Sequence, residues 1–168
     1  PKISGFASQY ANVTGNVRGL TILIQFPDES SSIPPSEVIN YTNQIGYTGH
    51  GNAQSIRDYF RAVSGNKLDY TNTVVGNYTA KKYKSYYTDP TITYGARARE
   101  LIVEALDWLA RLFIKRQLLK DAYETLSEVT KLSPKNYQRQ KALANLAEIN
   151  GLKEDTVKVY SRLLNAAR

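Results

Sequence analysis

The chain has 168 residues and a formal net charge of +7, with 42% hydrophobic and 22% charged residues, the balance of a globular chain with room for one ordinary domain or two small ones. It has no cysteine and a single histidine, His50, which excludes disulfides, Cys-ligated zinc, iron–sulfur clusters, thiol catalysis and any metal site needing two imidazoles from this chain. No stretch approaches the roughly 18–20 apolar residues of a membrane span, and Pro1-Lys2-Ile3 opens without the charged and apolar regions of a signal peptide, so a processed chain or a fragment is expected.

Charge and aromatic content divide the chain. Residues 1–107 hold 10 basic and 9 acidic groups, residues 108–168 hold 12 and 6, and 10 of the 13 tyrosines precede residue 95. Such asymmetry points to two units of different composition. In the first, Val17 to Phe26 is rich in β-branched residues and reads as a buried strand ending at Pro27-Asp28. Residues 28–35 are a polar, proline-bearing loop. A short helix is expected over 36–44, capped by Ser36, and a second from an Asn52 cap to Val63, where Ile56, Tyr59, Phe60 and Val63 recur at helical spacing. Gly65 is the expected left-handed end of that helix. Leu68 to Thr79 alternates Tyr, Thr and Val as a strand does, and Lys81 to Tyr87 reads as a basic, aromatic surface loop. After Tyr94-Gly95, an apolar stripe of Ala98, Leu101, Ile102, Ala105, Leu106 and Leu109 predicts a long helix.

From about residue 96 onward the period is helical, with breaks near Arg116-Gln117, Ser133-Pro134 and Asn150-Gly151. Shifting the chain by 34 residues aligns Leu109 with Leu143, Leu118 with Leu152, Asp121 with Asp155, Ser127 with Ser161 and Val129 with Leu163. That is the spacing of the tetratricopeptide repeat, and residues 105–168 resemble two such helical hairpins, with Thr156 standing where a small alanine is usual. Two copies are fewer than the roughly three that stand alone, so the repeats are expected to lean on the first part or on another copy, a homo-oligomer.

The runs VRGLTILIQFPDES, GNAQSIRDYFRAVSGNKLDYTNTVVGNYTAKKYKSYYTDP and YGARARELIVEALDWL resemble the immune-inhibitor-A-like family of secreted zinc metallopeptidases over about residues 17–109. The resemblance implies an α+β fold, with residues 1–104 as the zincin-like sheet-and-helix front of a catalytic domain and residues 105–168 as an all-α repeat part. The family's zinc helix, H-E-x-x-H, does not occur in the sequence. From about Ala110 the chain instead resembles the tetratricopeptide segment that follows the receiver domain of some bacterial response regulators, so the join is expected to be a fusion, an engineered chimera or an assembly of fragments. The chain is read as non-catalytic, without a cofactor, zinc entering only if ligands come from outside it. The alternatives are a portion of a secreted zinc metallopeptidase and a signalling or scaffold repeat protein. Secretion follows if the first resemblance governs and a cytoplasmic location if the second does.

Among single residues, His50 with Asp58 is half a metal site at most, and an exposed loop histidine is the simpler reading. Glu100 and Glu104, one turn apart beside Arg97 and Arg99, read as a solvated face before they read as an acid–base pair. The lysine–tyrosine run at 81–87 has the ingredients of a nucleic-acid stacking platform, but basic charge alone argues little, and a protein or peptide partner is favoured. In the repeat register Arg111, Lys115, Gln138, Lys141 and Asn145 fall on the face that first helices turn toward a groove, with Glu148 among them. Cations and amides so placed suit an acidic peptide, against the alternative of an ordinary solvated basic face.

Overall fold

The computed structural model describes residues 13–93 and 95–166; Tyr94, in the turn expected before the long helix, and both chain ends lie outside the described residues. The chain is mixed helix and strand, as the α+β expectation has it. It forms two compact units, the first from residues 13–25 and 30–77, the second from 26–29 and 78–166 of the described residues. The expected division at 104/105 follows sequence resemblance; compactness divides the chain at 77/78, because residues 78–87 pack with the helices that follow them.

The first unit contains strand β1 (Gly15–Gln25), helix α1 (Pro35–Asn43), a short 3-10 turn at Gly49–Gly51, helix α2 (Ile56–Val63) and strand β2 (Leu68–Thr79), whose last two residues belong to the second unit. Pairing rises together along both strands. The Gly15 N–H donates to the Lys67 carbonyl at 2.7 Å, the Thr21 hydroxyl donates to Asn72 Oδ1 at 3.1 Å, and Gly76 lies against Leu23. The strands are therefore parallel, and α1 and α2 supply the crossover that a parallel pair requires. Gly19 permits this register, since a Cβ there would sit 2.0 Å from the Tyr70 hydroxyl. The outer edge of β2 is closed locally by a side chain. The Asn43 amide donates to the Asn72 carbonyl at 3.1 Å and accepts from the Asn72 N–H at 2.6 Å, as a neighbouring strand would.

Two helix starts differ from the sequence expectation. In α1 the chain enters through Pro34, without a side-chain cap from Ser36, because Pro35 at the first helical position already presets the backbone. Helix α2 begins at Ile56, not beside Asn52, and its cap is Ser55, whose hydroxyl accepts from the Asp58 N–H at 3.0 Å. Arg57 then holds Asp69 of β2 through two bonds of 2.7 Å each, a bidentate geometry that fixes the helix on the strand. The hydrogen bond from Arg57 holds the Asp69 carboxyl below the usual range.

In the second unit the basic loop is partly helical: α3 (Lys84–Tyr87) precedes α4 (Ala96–Lys115), α5 (Leu119–Leu132), α6 (Tyr137–Ile149) and α7 (Lys153–Ala166). Each of the last four packs on the next. Their shared core is Ala110, Ala122, Leu126, Leu143, Ala144, Leu146, Val159 and Leu163, with Phe113, Leu119, Tyr123 and Ala142 against it. Ile102, part of the expected stripe, is 49% exposed, and the buried positions of α4 are Ala105, Leu109 and Ala110. The stripe thus drifts around the helix toward its end, where α5 covers it.

The ends of α4 and α6 have the same geometry 34 residues apart. The Leu118 N–H donates to the Phe113 carbonyl and the Leu152 N–H to the Ala147 carbonyl, each at 2.9 Å, around left-handed residues Gln117 (φ 61°) and Gly151 (φ 72°). Both are Schellman turns, which return orphan carbonyls to the hydrogen-bond network. Only the second has the glycine this conformation favours. Gln117→Gly is expected to stabilise the helical unit by about 0.5 kcal/mol, the relief of left-handed strain less the added freedom of the unfolded chain. A thermal melt checks it, and a lowered midpoint would contradict the account.

Candidate functional site

Helix α4, the middle of α5 and the start of α6 border a cleft of about 280 Å³ in the second unit, which Arg111, Gln138 and Asn136 line together with the pair Asp107 and Arg139. Asn136 is fixed there because its side chain caps α6, accepting from the Arg139 N–H at 3.0 Å. Arg139 is itself only 7% exposed. Its guanidinium grips Asp107 through Nε at 2.9 Å and Nη2 at 2.6 Å, and Nη1 reaches the Ser133 carbonyl at 3.4 Å. A buried guanidinium needs such a partner, since an unpaired charge out of water costs several kcal/mol.

Of the five residues that sequence reading puts on the groove face, the structure brings Arg111 and Gln138 into this one cleft. Lys115, Lys141 and Asn145 are exposed but do not line it, and Asn145 accepts instead from the Tyr160 hydroxyl of α7 at 3.2 Å. Asp107 and Arg139 escaped the sequence reading because they stand 32 residues apart. The available signal was an arginine one turn before Leu143 on the apolar stripe of α6, a position where a charge calls for an acid opposite.

The other candidates have structural partners. His50 Nε2 lies 3.4 Å from Glu37, whose carboxylate also accepts from Tyr47, while Asp58 accepts from the Gly46 N–H at 2.7 Å, so His50 and Asp58 are occupied separately. The bond to Glu37 is the main reason the Tyr47 hydroxyl is pushed up to about 12. Glu100 is exposed and Glu104 half-buried, and both meet tyrosines. Glu104 accepts from the hydroxyls of Tyr78 and Tyr87, each at 3.1 Å, and Glu100 from Tyr86 at 3.0 Å. Arg97 sits 4.1 Å over the Tyr86 ring and donates to Asp89 at 3.1 Å, a cation–π contact within the unit. Lys84 is paired with Glu29 at 2.8 Å. These rings and this cation of the 81–87 run are spent on internal contacts. Among the described residues there is no group of three or more His, Cys, Asp or Glu side chains placed to hold a metal ion, and no helix is long and apolar enough to cross a membrane.

Comparison with known proteins gives one partial likeness. The chain is 41% identical over 70 residues to the pre-pro-metalloprotease PrtV of Vibrio cholerae serotype O1, in strains M66-2 and ATCC 39315. The match covers 39% of this chain and 8% of the precursor, which makes one region of the chain metallopeptidase-related. No family model and no solved structure matches the chain.

Two outcomes test the geometry. Removing the acid alone, Asp107→Ala, is expected to cost about 3 kcal/mol or more because Arg139 is left buried and unpaired, whereas Asp107→Leu with Arg139→Met should recover most of that loss; urea unfolding of the three proteins decides. Burial, then the bond to Glu104, pushes the Tyr87 hydroxyl from 10.0 to about 12, and the same two causes raise Tyr78. A raised tyrosine pKa stabilises the folded state below the unfolded value and ceases to do so as pH climbs through the folded one. The urea midpoint should therefore fall between pH 10 and 12, less steeply in Tyr87→Phe; an unchanged slope in that variant would remove Tyr87 as a contributor.

Proposed function

We propose that the chain works by contact, not catalysis, combining a metallopeptidase-derived α+β part, about residues 1–104, with two tetratricopeptide-type hairpins, about 105–168, that serve protein recognition. The likeness to PrtV supports a metallopeptidase-related region, which we assign to the first part on the resemblance of residues 17–109. The observation that carries the contact reading is the recurrence of burial at the 34-residue shift. Leu109 and Leu143, Ala110 and Ala144, Val129 and Leu163 are all at most 6% exposed, as expected when small residues let paired helices approach and larger ones fill the seam.

The exposed cations Arg111, Lys115 and Lys141, with Gln138 and Asn145, then form the face for an acidic peptide, Arg111 and Gln138 holding the cleft end of it. A glutamate-rich peptide blocked at both ends should bind the chain and lose about 10-fold or more in affinity to Arg111→Glu with Lys115→Glu and Lys141→Glu. Unchanged affinity would return this face to ordinary solvated charge.

A second reading is favoured by the small share of the precursor that the match covers: the chain is a portion of a secreted zinc metallopeptidase whose zinc ligands lie outside it. Metal analysis together with a casein-cleavage assay separates the two. The contact reading expects neither stoichiometric zinc nor chelator-sensitive cleavage, and finding both would overturn it.

A further inference from the structure

Helix α7 has two apolar faces. Val159 and Leu163, each 6% exposed, belong to the core of the second unit. On the other side Val157, Tyr160 and Leu164 follow at the i, i+3, i+7 spacing of one helical stripe. They are 66%, 38% and 69% exposed. Apolar residues scattered singly over a surface need no explanation, but a contiguous stripe marks a contact surface. The small, exposed Ser161 stands among them. The Tyr160 hydroxyl donates to Asn145 Oδ1 of α6 at 3.2 Å, which holds the ring in place.

At the 34-residue shift Val157 and Tyr160 fall on Tyr123 and Leu126 of α5. Those two pack beneath the helices that follow: Leu126 is 6% exposed, and Tyr123 donates to Asp155 of α7 at 2.8 Å. The same positions are therefore covered in α5 and open in α7. A second copy of the chain cannot cover them head to tail. The positions of α4 that correspond to Arg139 and Ala142 of α6 are Ala105 and Trp108. Ala105 is 2% exposed and the Trp108 ring lies 5.6 Å from that of Tyr78, so that face of α4 is already taken within the unit. What a second copy does offer is its own α7 stripe. We propose that the outer face of α7 is a self-association surface, on which two copies of the chain pair as a closed, two-fold dimer. With the axis between Tyr160 and Ser161, the two α7 helices run antiparallel. Val157 of each protomer then meets Leu164 of the other, and Ser161 allows close approach at the crossing. A two-fold contact uses the same patch on both copies, so association stops at two. One helical stripe falls short of the roughly 800 Å² per partner of a standard interface, so the dimer is weak and depends on concentration. Each copy has a net charge of +7, and salt favours the dimer by screening that repulsion.

Sedimentation equilibrium of the full chain tests it. The mean mass is expected to rise from 18.9 kDa toward twice that value as the protein concentration increases from about 10 to about 1,000 µM, and to rise further when salt is added. Val157→Glu and Leu164→Glu, each at an exposed position, place a charge in the apolar contact. Each should weaken association about 10-fold or more while retaining the circular dichroism of the parent. Because the chain has no cysteine, single cysteines report the geometry. Ser161→Cys, next to the axis, should give a disulfide-linked dimer on mild oxidation, and Lys120→Cys, exposed on α5, should not. If the glutamate variants lose helix, the cysteine pair decides alone. A monomer mass at every concentration, masses that climb past two copies, unchanged association in both glutamate variants, or equal cross-linking of the two cysteine variants would each overturn the proposal. Arg111, Lys115 and Lys141 lie outside the stripe, and salt weakens acidic-peptide binding while strengthening the dimer, so either proposal can fail without the other.

Discussion

Arg139 is a charge placed inside a helical core, and the second unit is arranged around satisfying it. Its guanidinium, with a side chain 6% exposed, meets Asp107 of α4 in a two-bond fork. A fork of that kind tolerates little rotation or slippage. It fixes the register of α6 against α4, while Ala110, Ala144 and Ala147, nearly without exposure, keep the packed helices close. The cleft that Arg111 and Gln138 share follows from that register. Replacing an ion pair of this sort by apolar side chains is often neutral for stability, so its contribution here is to select one alignment of helices with similar apolar stripes.

A second polar device does similar work at the start of α4. Glu104 collects the hydroxyls of Tyr78 and Tyr87, and the Tyr78 ring lies 5.6 Å from Trp108. Tyrosine suits the position because its ring fills apolar space while its hydroxyl finds an acceptor. The carboxylates of α4 are thereby committed to tyrosines, and Asp107 to Arg139. Among the described residues, Lys131 and Arg139 are the cations after residue 107 with an ion pair, which is why the proposed ligand face is positive.

The first unit depends more on hydrogen bonds and ion pairs than on apolar burial. Among its described residues Tyr47 is the large apolar side chain that is buried, and Ile39, Ile45, Tyr59 and Val63 are between 44% and 63% exposed. A two-stranded sheet is marginal by itself. The bidentate Arg57–Asp69 pair, the Asn43 clasp on Asn72 and the Ser55 cap hold its helices to β2. Ser55, only 1% exposed, is accordingly one of the most enclosed residues of the chain.

Local chemistry was legible in the sequence because it acts over a few residues. β-Branched runs gave both strands, apolar periodicity gave α4 to α7, and Gly151, Pro134 and Gly65 marked turns and ends. The caps were less legible where several small polar residues competed: Asn52 and Ser55 both qualify, and only the bond to Asp58 selects Ser55. The basic character of the last third, the lack of cysteine and the single histidine also needed nothing but the sequence. What belonged to the tertiary structure was every pairing across distance. Glu104 with Tyr78, Asp107 with Arg139 and Tyr123 with Asp155 join residues 26 to 32 positions apart. Periodicity says which face of a helix turns inward; the packing of helices against one another decides which charge meets which, and so which of the many cations remain free to bind.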